Sequence, residues 1–245
     1  MSGPSSPTAR SQRRRQKRSQ EFLDTARRII AEEGFEGLTM SRLAAEVDIA
    51  VSAVYRYFPS KGALIAEIQR EALISLTQSL RTISARADEV FAEHGLDATA
   101  AAAARLVLFG RWFCDASVSF TEEIRLLHQI MSHRKTVLDP EGGDRMIPVA
   151  MELLLSAVAA LDTALALGVL RPGSSIDRAA VWASALGGVL ETDDLSRYLP
   201  DVFGDTRLAR QTSLDLLLAW GVPADLLESS SDVIDELASE GPLAH

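Results

Sequence analysis

The chain has 245 residues, 47% of them hydrophobic and 24% charged, with a formal net charge of −9. That is enough apolar material for one large domain, or for a small domain and a larger one with separate cores. The lone cysteine, Cys114, excludes an intrachain disulfide and a cysteine-based zinc cluster, and the basic start lacks the apolar run of a secretory signal, so a cytoplasmic setting is expected.

Charge is unevenly spread along the chain. Residues 1–61 hold eleven Lys/Arg against seven Asp/Glu, whereas residues 62–245 hold fourteen against twenty-seven. An acidic bulk repels a polyanion, so contact with nucleic acid has to run through the N-terminal end. Residues 1–16 are expected to form a disordered basic arm. Met1–Ala9 is rich in Ser and Pro, and Arg10–Arg18 (RSQRRRQKR) carries six cations and no acid. Such a run is either a solvated tail or an arm for phosphates or a minor groove, and the elements that follow favour the arm.

A first helix is predicted over Ser19–Glu33, with Phe22, Ala26, Ile29 and Ile30 on one face and Gly34 as its stop. The stretch LTMSRLAAEVDIAVSAVYRYFPSKGAL, Leu38–Leu64, then reads as two short helices, a sharp turn between them and the start of another helix. Thr39 is an N-cap, Leu43, Ala44 and Val47 recur at helical spacing, and the pattern breaks at Asp48–Ile49–Ala50. In the second short helix Val54, Tyr55 and Phe58 fall inward. Pro59 then ends the ladder and Ser60 caps the next helix. Two short helices joined this way, at about residues 39–58, make a helix-turn-helix, whose second helix can enter a major groove.

These residues carry a resemblance. LTMSRLAAEV, then VYRYFPSKGAL, after a helix ending in AEEGFEGLT, resemble the TetR family of bacterial transcriptional regulators over about Arg18–Gln78. Two positions depart from its pattern: Asp48 stands where the family usually has Gly, and Ala50 where it often has a capping Ser. Asp can adopt the left-handed conformation such a turn needs, and loss of the cap costs about 1 kcal/mol. The resemblance implies a DNA-binding head over residues 17–77 and a helical regulatory and dimerisation domain over 78–245. It carries base contact onto Val51, Ser52 and Ala53, with Ser41 and Arg42 from the preceding helix. Contact with the DNA backbone falls to Thr39, Tyr55, Tyr57 and Lys61. Arg42 and Arg56 are the side chains able to bind guanine bidentately, with a solvated or phosphate-facing role the alternative for Arg56.

Beyond the head a long helix is predicted from Ser60 to about Arg86, followed by acidic, Ala/Leu-rich helices near Ala98–Asp115, Thr121–Arg134, Arg145–Leu167, Ser175–Arg197 and Thr206–Trp220, with a weaker one in Ala224–Ala238. Breaks fall at His94–Gly95, Asp139–Gly143, Gly168–Gly173 and Leu199–Gly204. No alternating strand pattern persists, so the expected fold is all-α: a three-helix head bearing the helix-turn-helix, and a larger helical body. Val149–Leu170 has the length of a membrane span, but Glu152 and Asp162 lie inside it and favour a buried or dimer-facing helix. By resemblance the helices at about 175–197 and 206–220 pair across a homodimer, where Ala180, Ala183, Ala185, Gly187 and Gly188 allow close approach.

No catalytic arrangement is legible, so an enzyme is not expected. The four histidines make no metal-spaced cluster, the glycines form no phosphate loop, and neither metal nor cofactor is expected. The resemblance implies a pocket for a small effector inside the body, with Phe109, Trp112, Phe113, His128, Met131, Met151 and Trp182 as candidate lining. Arg105, Arg111, Arg125 or His128 could supply a polar anchor. Ordinary core packing is the alternative for each apolar member. The expectation is a homodimeric repressor that binds a near-palindromic double-stranded operator and is released by a small hydrophobic effector. The alternative is a regulator of the same type that has no small-molecule effector and answers to a protein partner or acts as an activator.

Overall fold

The structure is a computed structural model and describes residues 7–121, 123–124, 140–190, 198–199 and 206–244. Among these residues every regular element is a helix: α1 (Pro7–Gly37), α2 (Met40–Glu46), α3 (Val51–Tyr55), α4 (Lys61–Glu93), α5 (Ala98–Ser119), α6 (Pro140–Ala166), α7 (Ser175–Leu190), α8 (Arg207–Trp220) and α9 (Ala224–Ser239). They form two compact units. The first runs to Glu71 and takes in the start of α6 up to Ile147; the second holds α4 from Ala72, α5, α6 from Pro148, and α7–α9.

The first unit is built on α1. Phe22, Leu23, Ala26, Ile29 and Ile30 are buried at helical spacing, and Leu38, Leu43, Val54, Phe58, Leu64 and Ile68 are buried in the same unit. The break expected at Gly34 is present: its φ of 74° and ψ of −179° interrupt α1, and only glycine adopts that conformation freely. At the other end α1 differs from expectation. It begins at Pro7, so the basic run is helical from its first cation instead of forming a disordered arm. Arg, Gln and Lys lose little side-chain freedom in a helix, and propagation from a packed helix avoids a new nucleation cost.

In the second unit α5 is buried almost all round, through Leu106, Val107, Leu108, Trp112, Phe113 and Cys114, and packs against α8 and α9. An Asp97 carboxylate caps it, accepting from the Ala100 amide at 2.8 Å. At Gly110 α8 comes close: a Cβ there would lie 2.0 Å from Ser213 Oγ. Trp112 and Trp182 are each at most 1% exposed. Burying one such ring stabilises by about 4–6 kcal/mol before ordering costs. The segment expected to be the weakest helix, α9, is fully formed, because Leu227, Ser230, Ile234 and Leu237 repeat on one buried stripe.

Other boundaries moved as well. Helix α4 continues past Arg86 to Glu93, ending before Gly95 with its φ of 63°. Helix α6 starts at Pro140 and absorbs the expected Asp139–Gly143 break, as proline is tolerated in a first turn. The span Ile147–Ala166 is long and apolar enough to cross a membrane by length and composition alone. One of its faces is packed, with Leu153, Ala157, Leu161 and Ala164 buried, and Glu152 pairs with Arg81. The helix expected at Thr121–Arg134 lies largely outside the described residues, as does the end of the one expected to reach Arg197.

Candidate nucleic-acid interface and body cavity

The turn between α2 and α3 is fixed by backbone chemistry. Thr39 caps α2, its hydroxyl oxygen accepting from the Arg42 amide at 3.0 Å. Asp48 has φ 50°, the positive value the turn requires, and is the only such non-glycine among the described residues. Ala50 begins α3 with no side-chain cap, as its missing hydroxyl implies. After Tyr55 the Tyr57 and Phe58 amides both donate to Val54 O, at 2.9 and 3.0 Å, and this turn carries both rings back over α1. Ser60 Oγ then accepts from the Ala63 amide at 2.9 Å and starts α4.

Burial sorts the candidate readers. Ser41, Arg42, Ser52, Tyr55 and Arg56 are exposed, and Val51 and Ala53 half-exposed, while Val54 is fully buried. Tyr55, expected on the inward face, is instead 48% exposed. Tyr57 takes the inward place, its ring edge-on to Phe22 at 5.0 Å, because the turn after Val54 resets the helical phase. Thr39 is exposed, with a hydroxyl that accepts within the cap and stays able to donate. Lys61 Nζ donates to Phe35 O at 2.7 Å, which steadies the start of α4 and leaves two of its three donors.

Charge pairing separates the two candidate guanine readers. Arg42 is bound to Glu33 at 3.2 Å and to Glu46 at 2.7 Å. Glu46 also meets Arg28 at 2.5 Å. Its carboxyl is held below the usual carboxylate range, first by the Arg28 hydrogen bond and then by the charge of Arg42. Arg42 therefore has to leave two acids before it can bind a base. Arg56 is exposed and has no acidic partner among the described residues, and neither have Arg10, Arg13, Arg14 and Lys17. Sequence reasoning favoured Arg42 over Arg56 as a base reader; the i,i+4 partner Glu46 could be read from its spacing, but the pair with Glu33 on α1 could not.

The body residues divide differently. Phe109, Trp112 and Trp182 do come together, with Phe109 5.8 Å from Trp112 and 5.1 Å from Trp182. The Trp112 indole donates to Ser79 Oγ at 3.2 Å and that of Trp182 to Ser213 Oγ at 3.1 Å, so both tryptophans are satisfied core residues. Phe113 is buried at 7% exposure, and Met151 is exposed on α6. His128, Met131 and Arg125 lie outside the described residues. A cavity of about 310 Å³ opens elsewhere, among Leu80, Arg81, Ser84 and Asp88 of α4, Arg105, Leu108 and Phe109 of α5, and Ser156 of α6. Phe109 and the proposed anchor Arg105 are the expected residues that reach it. Its cations are paired within the protein, Arg81 with Glu152 and Arg105 with Asp88. The alternative anchor Arg111 is engaged with Asp235 and Asp115.

Comparison with known proteins places the likeness on the same residues. Residues 22–68 match the family model described as bacterial regulatory proteins, tetR family. The chain is 46% identical over 55 residues to the nucleoid occlusion factor SlmA of Haemophilus influenzae, covering 21% of this chain and 25% of that protein. It is 38% identical over 79 residues to the HTH-type transcriptional repressor AcnR of Corynebacterium diphtheriae, covering 32% of this chain and 36% of that one. The chain thus spans between a quarter and about a third of these relatives. Over most of its length it shares a fold with a bacterial regulatory protein in the tetR family from Rhodococcus RHA1: TM-score 0.59, 18% identity, 84% of this chain and 97% of that one.

Proposed function

We propose that this chain, which belongs to the TetR family of bacterial regulatory proteins, is a homodimeric repressor that reads a near-palindromic DNA operator in the cytoplasm. The observation that carries the reading is the exposure of α3 around one buried anchor. Val54 holds it to the core while Ser52, Tyr55 and Arg56 stand free, and the Asp48 turn sets its angle. Val51 and Ala53 suit thymine methyl groups, Ser52 suits several base edges, and Arg56 suits guanine.

Dimerisation is supported by what α7 and α8 leave uncovered. Ile176, Val181 and Leu218 are 45%, 50% and 40% exposed. A Cβ on Gly188 would meet nothing within 4 Å among the described residues. A second copy packed on this face would bring two heads to successive major grooves, with half-sites about 34–36 Å apart or a multiple of it. An effector with an apolar body and a polar end suits the cavity beside Phe109. It would release DNA only by preferring one spacing of the heads. One observation favours a regulator without such an effector: both arginines among the described lining residues already have acidic partners.

Selection from a random duplex pool with the purified protein tests the reading, and a dyad-symmetric consensus is expected. Ser52→Ala then alters preference at one base position, and Lys61→Ala and Tyr57→Phe weaken binding to every sequence. Arg56→Ala costs about 1–3 kcal/mol on operator DNA and Arg42→Ala less. A consensus without dyad symmetry removes the dimer, and an unchanged profile for Ser52→Ala removes this reading face.

A further inference from the structure

We infer that the first turns of α1 are a preformed helical clamp for the DNA phosphates that flank the bases read by α3. The inference rests on the DNA-binding reading above and adds to it a second contact surface.

Three observations support it. The acidic side chains Glu21, Asp24, Glu32, Glu33, Glu46 and Glu71 are each committed to an arginine. Arg10, Arg13, Arg14 and Lys17 are exposed and have no partner among the described residues, so four full positive charges stand together on helix α1. A helix with like charges three and four residues apart is destabilised by its own repulsion, and a polyanion relieves that cost.

The second observation is where the extension is tied down. The guanidinium of Arg15 lies 5.8 Å from the centre of the Tyr57 ring, and that of Arg18 5.3 Å from the centre of the Phe22 ring. Tyr57 lies two residues past the end of α3, so the run is anchored beside the reading helix. The spacing of Arg10, Arg13, Arg14 and Lys17 gathers these four on one flank of α1, while Arg15 is turned to Tyr57.

The third is the conformation itself. An extended basic arm can enter a minor groove about 6 Å wide, but a helix with side chains is about 10–12 Å across and cannot. A helical run therefore meets DNA from outside, with its long side chains on phosphates. A flexible arm pays ordering entropy on binding; a run already helical loses less.

The test replaces Arg10, Arg13, Arg14 and Lys17 together by Gln in the full chain, since Gln keeps helix propensity and removes only charge. Binding is followed against salt on the selected operator, once with long flanks and once trimmed to the bases read by α3. The slope of log K against log[salt] should flatten by about 0.9 for each phosphate that is no longer neutralised, or about 3–4 per protomer if all four cations engage. The unsubstituted protein should prefer the long duplex and the variant should not, with base preference unchanged. Returning Lys at the three arginine positions should restore the slope, since phosphate binding here needs charge and not a guanidinium.

If the four-Gln variant keeps the original slope and flank preference while still selecting the operator, the run is a solvated tail and the clamp is refuted, with the α3 reading intact. Salt-dependent binding without sequence preference, abolished in the variant, would sustain the clamp and remove α3 as a reader. Binding of anionic lipid vesicles in place of duplex DNA would overturn both.

Discussion

Gly110→Ala probes the packing on which the body depends. The new Cβ would sit 2.0 Å from Ser213 Oγ, 3.0 Å from Ser213 Cβ and 3.3 Å from Trp182 Cζ2. Neither neighbour yields cheaply: Ser213 is 3% exposed within α8, and its hydroxyl accepts the Trp182 indole N–H at 3.1 Å. Overpacking costs about 1–3 kcal/mol, and an indole donor left unsatisfied in the core costs about 1–3 kcal/mol more. Ala regains about 1 kcal/mol in helix propensity over Gly, which leaves a net loss of about 1–5 kcal/mol. Urea unfolding followed by tryptophan fluorescence reads the change. Ser213→Gly in the same chain should relieve the clash but not restore the hydrogen bond, giving partial rescue. A Gly110→Ala protein more stable than the original would mean that α5 and α8 do not approach as described.

Ala50→Ser should supply the missing cap of α3 and raise the stability of the head by about 1 kcal/mol, measured by thermal melting; no gain would mean that the residue 50 side chain cannot reach the α3 amides. His94 should make stability depend on pH. Its Nδ1 meets Val90 O at 2.9 Å and its Nε2 meets Glu236 at 3.1 Å. The backbone hydrogen bond first and the carboxylate second raise its pKa above the ordinary value of 6.5, with Glu93 adding to the effect. Its contribution should therefore be complete below about pH 6.5 and vanish as pH rises through the higher folded value. The stability gap between wild type and His94→Gln should shrink from mildly acidic to mildly alkaline buffer, and a gap that widens would reverse this assignment. Burial pushes the Cys114 thiol up to about 12, so it should resist a disulfide reagent in the native protein and react in denaturant. Rapid native labelling would contradict its burial.

Much of the fold is local and could be read in one dimension. The Thr39 cap, the Pro59 stop, the Ser60 cap and the spacing of Phe22, Ala26, Ile29 and Ile30 each depend on residues a few positions apart, and the head follows from them. Asp48 shows the same economy, since its place between two short helices demanded a positive φ and its side chain tolerates one. Exposure of Ser52 and burial of Val54 were legible for the same reason.

What the tertiary structure decided is which side chains spend their chemistry internally. Arg42 and Arg56 are alike in type, yet a pair with Glu33 across helices, beside the i,i+4 pair with Glu46, engages the first, while the second has no acidic partner among the described residues. Trp112 and Trp182 carry polar atoms that suit a pocket or a core, and serines 33 and 31 positions away assign them to the core. The cavity formed instead on α4, α5 and α6, where paired arginines and aliphatic residues meet. Local propensity and periodicity act over a few residues, so sequence alone determined the helices and the turn. Partner choice depends on distances between segments far apart in the chain, and those exist only once the helices have packed.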